Sequence, residues 1–418
     1  PPATDPPGPV VARGIGVLPF TNLSPDPDNA FFASGVHEEV LTHLSRIDAL
    51  RVISRTSMEK IAGDGLDVAQ IGQRLGVSHV LEGSVRRAGN QVRVTVQLIE
   101  AATDRHVWAE NYDRTLDDVF AIQSQIALAI AGKLQVELSA TQIAGINERP
   151  TSSPEAYDLF LRAAERMRSF SWRTGLVEMI AQLESAIAID PEFLRARVLL
   201  VHAYGAAFRD DDDLGGNLDG KAAAQLAQIV DRWPDDPLAR VAQAYYDRLV
   251  SRDLDAALAG FQALAAERPN DAQILYEVST TLKWLDLRGE FLSAARRVHA
   301  LDPESQRAHA ELLLALRRNG LGEEALALAE LGVTRFPDMP AARLHRALLL
   351  RDFRQDLQPM LDFGAEASRS APASRPTWYA EVRFASGDQD GAINWLAGGR
   401  GQLSGLEAAR VDMLLADL

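Results

Sequence analysis

The sequence predicts two kinds of structure in one chain: an N-terminal α/β domain with a mixed sheet, and a C-terminal, all-α array of helical repeats. Three observations predict this division. Apolar and polar residues alternate over residues 91–100, which is typical of a strand with one buried face. Strand-like segments cease after Pro154. In the helical part that follows, prolines recur at a nearly constant spacing, which is typical of stacked repeats.

The α/β domain is predicted to follow the order β-α-β-α-β-β-β-α. Short apolar runs and period-two alternation predict the strands, and apolar residues at helical spacing predict the helices. The predicted strands are Gly14–Phe20, Leu50–Ser54, His79–Arg87, Gln91–Glu100 and His106–Tyr112. The predicted helices are Phe31–Ile47, Val68–Leu75 with Gly76 as its C-cap, and Leu116–Leu138. This order implies a mixed sheet with helices packed on it.

The repeat array is predicted from helix-terminating prolines. Pro234, Pro269, Pro303 and Pro337 are separated by 35, 34 and 34 residues, close to the tetratricopeptide period. Small residues stand twelve positions before three of these prolines, at Ala222, Ala257 and Ala325, whereas the repeat that ends at Pro303 has Phe291 there. The segment Arg209–Gly220 is predicted to be an insertion between two helices, and Ser404–Leu418 a closing helix. We therefore expect a linker over residues 1–13, the α/β domain over 14–150 and the superhelical repeats over 151–418.

Composition narrows the classes of partner. The formal net charge is −15, so nucleic acid, a polyanion, is not an expected partner. The chain has no cysteine, which excludes disulfides, thiolate metal sites and cysteine nucleophiles. No run of 18 apolar residues occurs, so no membrane-spanning helix is predicted within the sequence. The segment Pro1–Arg13 has five prolines and is predicted to be an extended linker.

Long ordered stretches of the first domain carry a resemblance to a known family. They include VLEGSVRR at residues 80–87 and VWAENYDR at residues 107–114. Over about Gly14–Leu138 the chain resembles the TolB-amino-terminal-like domain, which is found beside tetratricopeptide repeats in CadC-like transmembrane regulators and in proteins associated with class III nucleotide cyclases. The resemblance implies a membrane helix and an output domain upstream of Pro1, either a winged-helix DNA-binding domain or a cyclase.

A ligand crevice is predicted at the C-terminal ends of the first two strands, where open α/β sheets bind ligands. The residues there are Asn22, Ser24, Arg55, Thr56 and Ser57. Arg55 is a candidate for two-pronged binding of an anion. The alternative hypothesis gives these residues loop-capping hydrogen bonds, with Ser57 as a helix N-cap.

A partner-binding groove is predicted along the first helices of the repeats. Aromatic and arginine side chains are the usual anchors of an interface, and they are concentrated on these helices. The candidates are Tyr204, Tyr245, Arg248, Tyr276, Lys283, Trp284, His309, Arg317, Arg318, His345 and Arg346. About half of them are expected to be core residues. A basic groove in an acidic chain suits an acidic peptide or a C-terminal carboxylate.

No catalytic residue, cofactor or metal site is predicted. His37, Glu38 and His43 have the wrong spacing for a zinc site on one helix face, and we expect surface positions for them. The run Asp210–Asp213 lacks the alternation and the closing Glu of a calcium loop, so a solvated turn is favoured over a cation site. Gly14 and Gly16 lack the third glycine of a dinucleotide fingerprint.

The leading hypothesis is a non-catalytic, sensory or protein-binding module of a membrane-anchored bacterial regulator. It places the chain on the periplasmic side of the inner membrane, with the cytoplasm as the alternative. A homodimer is plausible by analogy with the output domains named above. The two rival hypotheses are a structural adaptor of an envelope complex and an enzyme with an unrecognised site.

Overall fold

The computed structural model describes residues 11–26, 29–168, 175–209, 217–337, 340–356, 358–360, 362–363 and 390. Its N-terminal part contains a mixed sheet, as predicted. The six strands are β1 (Val11–Val17), β2 (Thr21–Asn22), β3 (Arg51–Val52), β4 (Val77–Ala88), β5 (Gln91–Glu100) and β6 (Arg105–Thr115).

The sheet has the strand order β3-β1-β4-β5-β6, and β2 pairs with β4 beside β1. Strand β1 is parallel to β3 and β4, whereas β4, β5 and β6 form an antiparallel meander. The period-two prediction for β5 is confirmed, because Val92, Val94, Val96 and Leu98 are all buried. The parallel strands therefore end at one edge of the sheet, which is the edge where a crevice was predicted.

Five helices accompany the sheet: α1 (Ala30–Ser45), α2 (Arg55–Gly63), α3 (Val68–Leu75), α4 (Val119–Lys133) and α5 (Ala140–Ile146). Helix α3 has the predicted bounds, and Gly76 ends it in the left-handed conformation, as expected of a C-cap. The prediction of one helix over Leu116–Leu138 was too long. A 3₁₀ turn occupies Leu116–Asp118, and α4 ends before Gln135, whose φ is positive.

The sequence prediction missed β2, α2 and α5. Helix α2 has only Met58 and Ile61 as large apolar residues, which is too few to show a helical period. Both side chains nevertheless lie in a core cluster with Ile71, Leu75 and Val80, so α2 and α3 pack together on β4. The core of the α/β part thus forms around residues that are far apart in sequence.

Helices without intervening strands occupy the described residues from 154 onward, as predicted. They are α6 (Pro154–Arg168), α7 (Leu176–Ile189), α8 (Leu194–Arg209), α9 (Leu218–Arg232), α10 (Pro237–Tyr246), α11 (Leu254–Glu267), α12 (Ala272–Trp284), α13 (Arg288–Leu301), α14 (Gln306–Arg318), α15 (Gly322–Arg335) and α16 (Pro340–Arg354). The four regularly spaced prolines each follow the second helix of a pair.

The residues that stand twelve before these prolines are fully or almost fully buried, including the large Phe291. The α-helical hydrogen-bond pattern is interrupted after α10, where Asp247–Ser251 forms a π-helical turn. Two predicted features, the acidic run Asp210–Asp213 and the closing helix Ser404–Leu418, lie outside the described residues, as do residues 1–10 of the linker.

The described residues group into two compact units. The first reaches Ala206 and resumes over Asn217–Ala308, so it includes both the sheet and the repeats through α13. The second includes Ala207–Arg209 and the described residues from His309 onward. The predicted boundary at residue 150 stays a prediction. Among the described helices, none has the length and apolar character needed to cross a membrane.

Candidate functional site

The first part of the predicted crevice, Asn22 and Ser24, caps the end of β2. The Asn22 side-chain oxygen accepts a hydrogen bond from the Ser24 amide at 3.0 Å. The Ser24 hydroxyl oxygen accepts one from the Arg87 amide at 2.9 Å. The first bond is a local capping bond of the kind that the alternative hypothesis expected. The second joins residues 63 positions apart and holds the segment after β2 against β4.

Arg55 is held by carboxylates of the chain itself. Its guanidinium contacts Glu38 at 3.4 Å, Glu59 at 2.6 Å and Glu165 at 3.1 Å, and it donates to the Ser34 hydroxyl at 2.8 Å. Burial acts to lower the pKa of Arg55, but the three carboxylates outweigh burial and raise it. An anionic ligand would have to displace these partners, so binding of an anion by Arg55 stays a prediction.

Ser57 is buried, but it is not the N-cap of α2. Ser54 is the cap, because its side-chain oxygen accepts from the Ser57 amide at 3.3 Å. The Ser57 hydroxyl instead donates to Asp302 Oδ1 at 2.7 Å, across 245 residues of sequence. Thr56, between them, is exposed. The crevice end that was predicted to bind a ligand is therefore contacted by a loop of the repeat array.

The histidines of α1 are buried, which corrects the expected surface positions. His37 and His43 lie inside the α/β part, and His37 Nε2 lies 2.9 Å from the carbonyl oxygen of Val17. Burial lowers the pKa of His37 and lowers that of His43 to about 3, so both rings are neutral. Within the described residues, no three His, Asp or Glu side chains are grouped as a metal site.

An open recess of about 570 Å³ lies where α6 begins, beside the ends of β4 and β6. Its charges are mixed: Arg87 pairs with Asp158 at 2.9 Å, and Arg162 stacks over the ring of Phe31 at 3.9 Å. The lining residues are Arg87, Leu116, Ser153, Pro154, Glu155, Asp158, Leu159 and Arg162. The sequence prediction included none of them, because they combine residues from both sides of position 150.

Five of the eleven predicted groove residues are buried between helices, which agrees with the expectation that about half are core. They are Tyr204, Tyr245, Arg248, Tyr276 and His309. The other six, Lys283, Trp284, Arg317, Arg318, His345 and Arg346, are half-buried or exposed. Their role in binding a partner stays a prediction.

Arg248 is the most elaborately enclosed of the buried set. Its guanidinium pairs with the Glu277 carboxylate at 2.5 Å and lies 5.1 to 5.7 Å from the centres of three aromatic rings, those of Tyr245, Phe261 and Trp284. Burial acts to raise the pKa of Glu277, but Arg248 and its cationic neighbours lower it. Arg248 lies in the π-helical turn after α10, and such turns are frequent at functional sites. Of this cluster, Trp284 is the most exposed, at 39%.

The half-buried cations of the last helices are engaged within their own unit. Arg317 pairs with Asp352 at 2.9 Å, and Arg346 lies 3.8 Å from Glu330. Burial lowers the pKa of His345, and the charge of Arg317 adds to that effect. Arg318 is exposed on the final turn of α14.

We call the α/β part, from β1 to α5, the sheet domain. The sequence did not predict its contacts with the repeats. Arg195, at the start of α8, pairs at 2.6 Å with Glu39, which is buried in α1. Arg74 of α3 pairs at 2.8 Å with the buried Glu304 of the loop after α13. Sequence spacing offers no signal for these pairs, because each joins residues more than 150 positions apart.

Comparison with known proteins finds similarity over parts of the chain. Residues 12–129 match the family model for the second domain of HilA/YgeH-like transcriptional regulators. The chain is also similar to a protein of Rhizobium meliloti (strain 1021) named "Putative adenylate cyclase 3", with 39% identity over 199 residues. That similarity covers 47% of this chain and 34% of the relative, so the chain spans about a third of the length of the curated relative.

Two solved structures each align with part of the chain. A tetratricopeptide repeat protein from Parabacteroides merdae covers 63% of this chain and 98% of its own, with 12% identity and a TM-score of 0.44. Lipoprotein GNA1162 from Neisseria meningitidis covers 30% of this chain and 99% of its own, with 17% identity and a TM-score of 0.23.

The resemblance to the TolB-amino-terminal-like domain stays a resemblance, since the family model that matches these residues carries a regulator's description. That regulator-like domain and the helical repeats together support a non-catalytic protein-interaction module.

Proposed function

We propose that this chain is the sensory and partner-binding part of a membrane-anchored bacterial regulator. The observation that supports it most directly is that the regulator-like domain and the repeats through α13 form one compact unit. In such a unit, binding of a partner to the repeats changes the contacts of the sheet domain. A signal requires that kind of coupling, because a ligand shifts an equilibrium only through contacts that differ between two states.

The partner that we propose is a protein or an acidic peptide, bound along the first helices of the repeats. In the unit that includes the repeats through α13, the accessible side chains there are Lys283 and Trp284. Tryptophan and arginine are the residues that most often dominate binding energy at protein interfaces. The overall negative charge of the chain disfavours acidic ligands elsewhere, so local cations set the specificity of this surface.

Thermal-shift titration with acidic and with basic peptides tests the proposed surface. Acidic peptides should raise the melting temperature by mass action, and Lys283→Ala should reduce the rise. The matched control is Lys221→Ala, which removes an exposed lysine on α9, the second helix of its repeat. Equal effects of the two substitutions, or no shift with any peptide, would reject the groove as the binding surface.

The proposed location is the periplasmic side of the inner membrane, and the proposed output is a winged-helix domain or a class III cyclase encoded upstream of Pro1. The regulator match and the cyclase name of the R. meliloti relative support the proposed outputs. The proposed location rests on the resemblance to the domain found in CadC-like transmembrane regulators. Protease added to spheroplasts of cells that express the natural full-length protein should degrade the repeats. Protection of the repeats until the inner membrane is lysed would place them in the cytoplasm and contradict this location.

A further inference from the structure

The loop between α13 and α14 inserts two buried carboxylates into the sheet domain. Asp302 and Glu304 are each only 2% exposed. Asp302 Oδ1 accepts hydrogen bonds from the hydroxyl groups of Ser54 and Ser57. The Glu304 carboxylate binds Arg74 in two-pronged fashion, with N–O distances of 3.0 and 2.8 Å. Both acidic side chains are thus recognised by groups of the sheet domain.

The backbone of the same loop is bound as well. The Ser54 amide donates to the Leu301 carbonyl at 2.9 Å, and the Glu304 amide donates to the Ser57 hydroxyl at 2.9 Å. Arg51 donates to the carbonyl of Ala300 at 2.9 Å. The sheet domain thus binds two carboxylates and three backbone groups of one loop. Such a set of polar contacts is more typical of peptide recognition than of core packing.

The contacts lie where an open α/β sheet binds its ligands. Ser54 and Ser57 follow the C-terminal end of β3 and open helix α2, whose first amides and dipole favour a negative group. The bonds described here are polar, and polar interfaces within a chain separate more readily than apolar ones.

We propose that this end of the sheet domain is a receptor for acidic turns of the Asp-x-Glu type, and that Leu301–Ser305 occupies it in cis as a displaceable ligand. We call this receptor the acidic-turn site, defined by Arg51, Ser54, Ser57 and Arg74. A peptide in trans with carboxylates at the same spacing competes with the loop. The inference does not depend on the proposed repeat groove, since it concerns a different surface.

A binding experiment on the full chain tests the receptor. The double substitution Asp302→Ala with Glu304→Ala removes the two carboxylates of the loop and leaves the acidic-turn site intact. A fluorescent peptide of residues 300–306 (ALDPESQ) is then titrated, with anisotropy as the readout. The double variant should bind the peptide at least ~10-fold more tightly than the unsubstituted chain, in which the tethered loop competes at an effective concentration on the order of millimolar.

Two controls decide whether binding is specific. The peptide ALNPQSQ, which lacks both carboxylates, should not bind, and Arg74→Ala in the double-variant background should abolish binding of ALDPESQ. Asp190→Ala is the matched variant, because Asp190 is a buried aspartate at the same position of an earlier repeat and its carboxylate binds Thr151 and Ser152 instead. The proposal is overturned if the folded double variant does not bind ALDPESQ. It is also overturned if the Asp190→Ala chain binds this peptide as tightly as the double variant does.

Hydrogen exchange on the unsubstituted chain tests displaceability without any variant. The amides of Ser54 and Glu304, which bond across the acidic-turn site, should exchange faster than those of the β4–β5 ladder, because the loop opens without global unfolding. If these two amides exchange as slowly as the ladder does, the loop is a fixed part of the fold and the proposal fails.

Discussion

At the residue scale, His43 shows how burial in α1 makes folding sensitive to acid. The ring is almost completely buried, and burial, aided by the charges of Arg46 and Arg195, lowers its pKa to about 3. In the unfolded chain the same ring titrates near its ordinary value of 6.5. Between these two values the unfolded state binds more protons than the folded state, so acidification favours unfolding.

We therefore predict a pH signature for His43→Gln, measured by urea denaturation at several pH values. His43 stabilises the fold fully above pH 6.5, and this contribution falls by ~1.4 kcal/mol for each pH unit below that value. The difference in unfolding free energy between the natural chain and the variant should shrink accordingly between pH 6.5 and pH 4.5. Parallel pH curves for the natural chain and His43→Gln would contradict the prediction.

The predicted groove illustrates what sequence can and cannot say about single residues. The sequence singles out aromatic and arginine side chains on the first helices, but the burial of each one depends on its neighbours in the next repeat. Arg248 is covered because Glu277, which lies 29 residues later on the first helix of the next repeat, pairs with it. Sequence spacing predicts the repeat, yet it does not predict which side of each helix faces the next one.

At the element scale, two glycines should respond in opposite ways to alanine. Gly76 ends α3 with φ at 62°, a left-handed conformation that costs an alanine ~1–2 kcal/mol. Gly63 is the last residue of α2, and a methyl group there meets no atom within 4 Å. Alanine has the higher helix propensity, so Gly63→Ala should be neutral or stabilising by up to ~1 kcal/mol.

Urea midpoints of the two variants, measured beside the natural chain, check this prediction. Gly76→Ala should unfold at a lower urea concentration than the natural chain, and Gly63→Ala at the same or a higher one. An unchanged midpoint for Gly76→Ala would contradict the cap assigned to α3, and a lower midpoint for Gly63→Ala would contradict the free space beside Gly63.

Elements were predictable from sequence where a periodic pattern was long enough to read. Strand β5 and helix α3 have the predicted bounds because the first alternates strictly and the second ends at a capping glycine. Helix α2 was missed because only two of its residues enter the core, and because its cap, Ser54, binds a loop from another part of the chain. A local sequence pattern does not predict a partner that is so distant in the chain.

At the scale of the whole molecule, buried ion pairs connect the sheet domain to the repeats. Glu39 in α1 is almost fully buried and pairs with Arg195 at the start of α8, with Tyr157 of α6 buried nearby. The charges of such a pair depend on each other, because an ion left alone in the interior is poorly solvated. The sequence gives no reason to bring residue 39 to residue 195, so this coupling appears only in the folded structure.

We predict that the sheet and the repeats through α13 unfold in one cooperative step. Hydrogen exchange at increasing urea concentration measures it, residue by residue. Amides of β5 and of α8 should lose protection at the same urea concentration, because Glu39 and Arg195 must separate in either event. If the boundary predicted at residue 150 separates two independent domains, β5 and α8 should instead lose protection at different urea concentrations.

The substitution Arg195→Ala tests the same coupling through the free energy of unfolding that it removes. Removing one partner of a buried pair costs ~3–5 kcal/mol, and the partial exposure of Arg195 places the expected loss at the lower end of that range. The loss should appear equally in β5 and α8 if they unfold together. The control is Arg232→Ala, since Arg232 pairs with Glu192 at an exposed position on the repeats, where a salt bridge contributes ~1 kcal/mol or less. A loss confined to α8 in the Arg195 variant would show that the buried pair does not couple the repeats to the sheet.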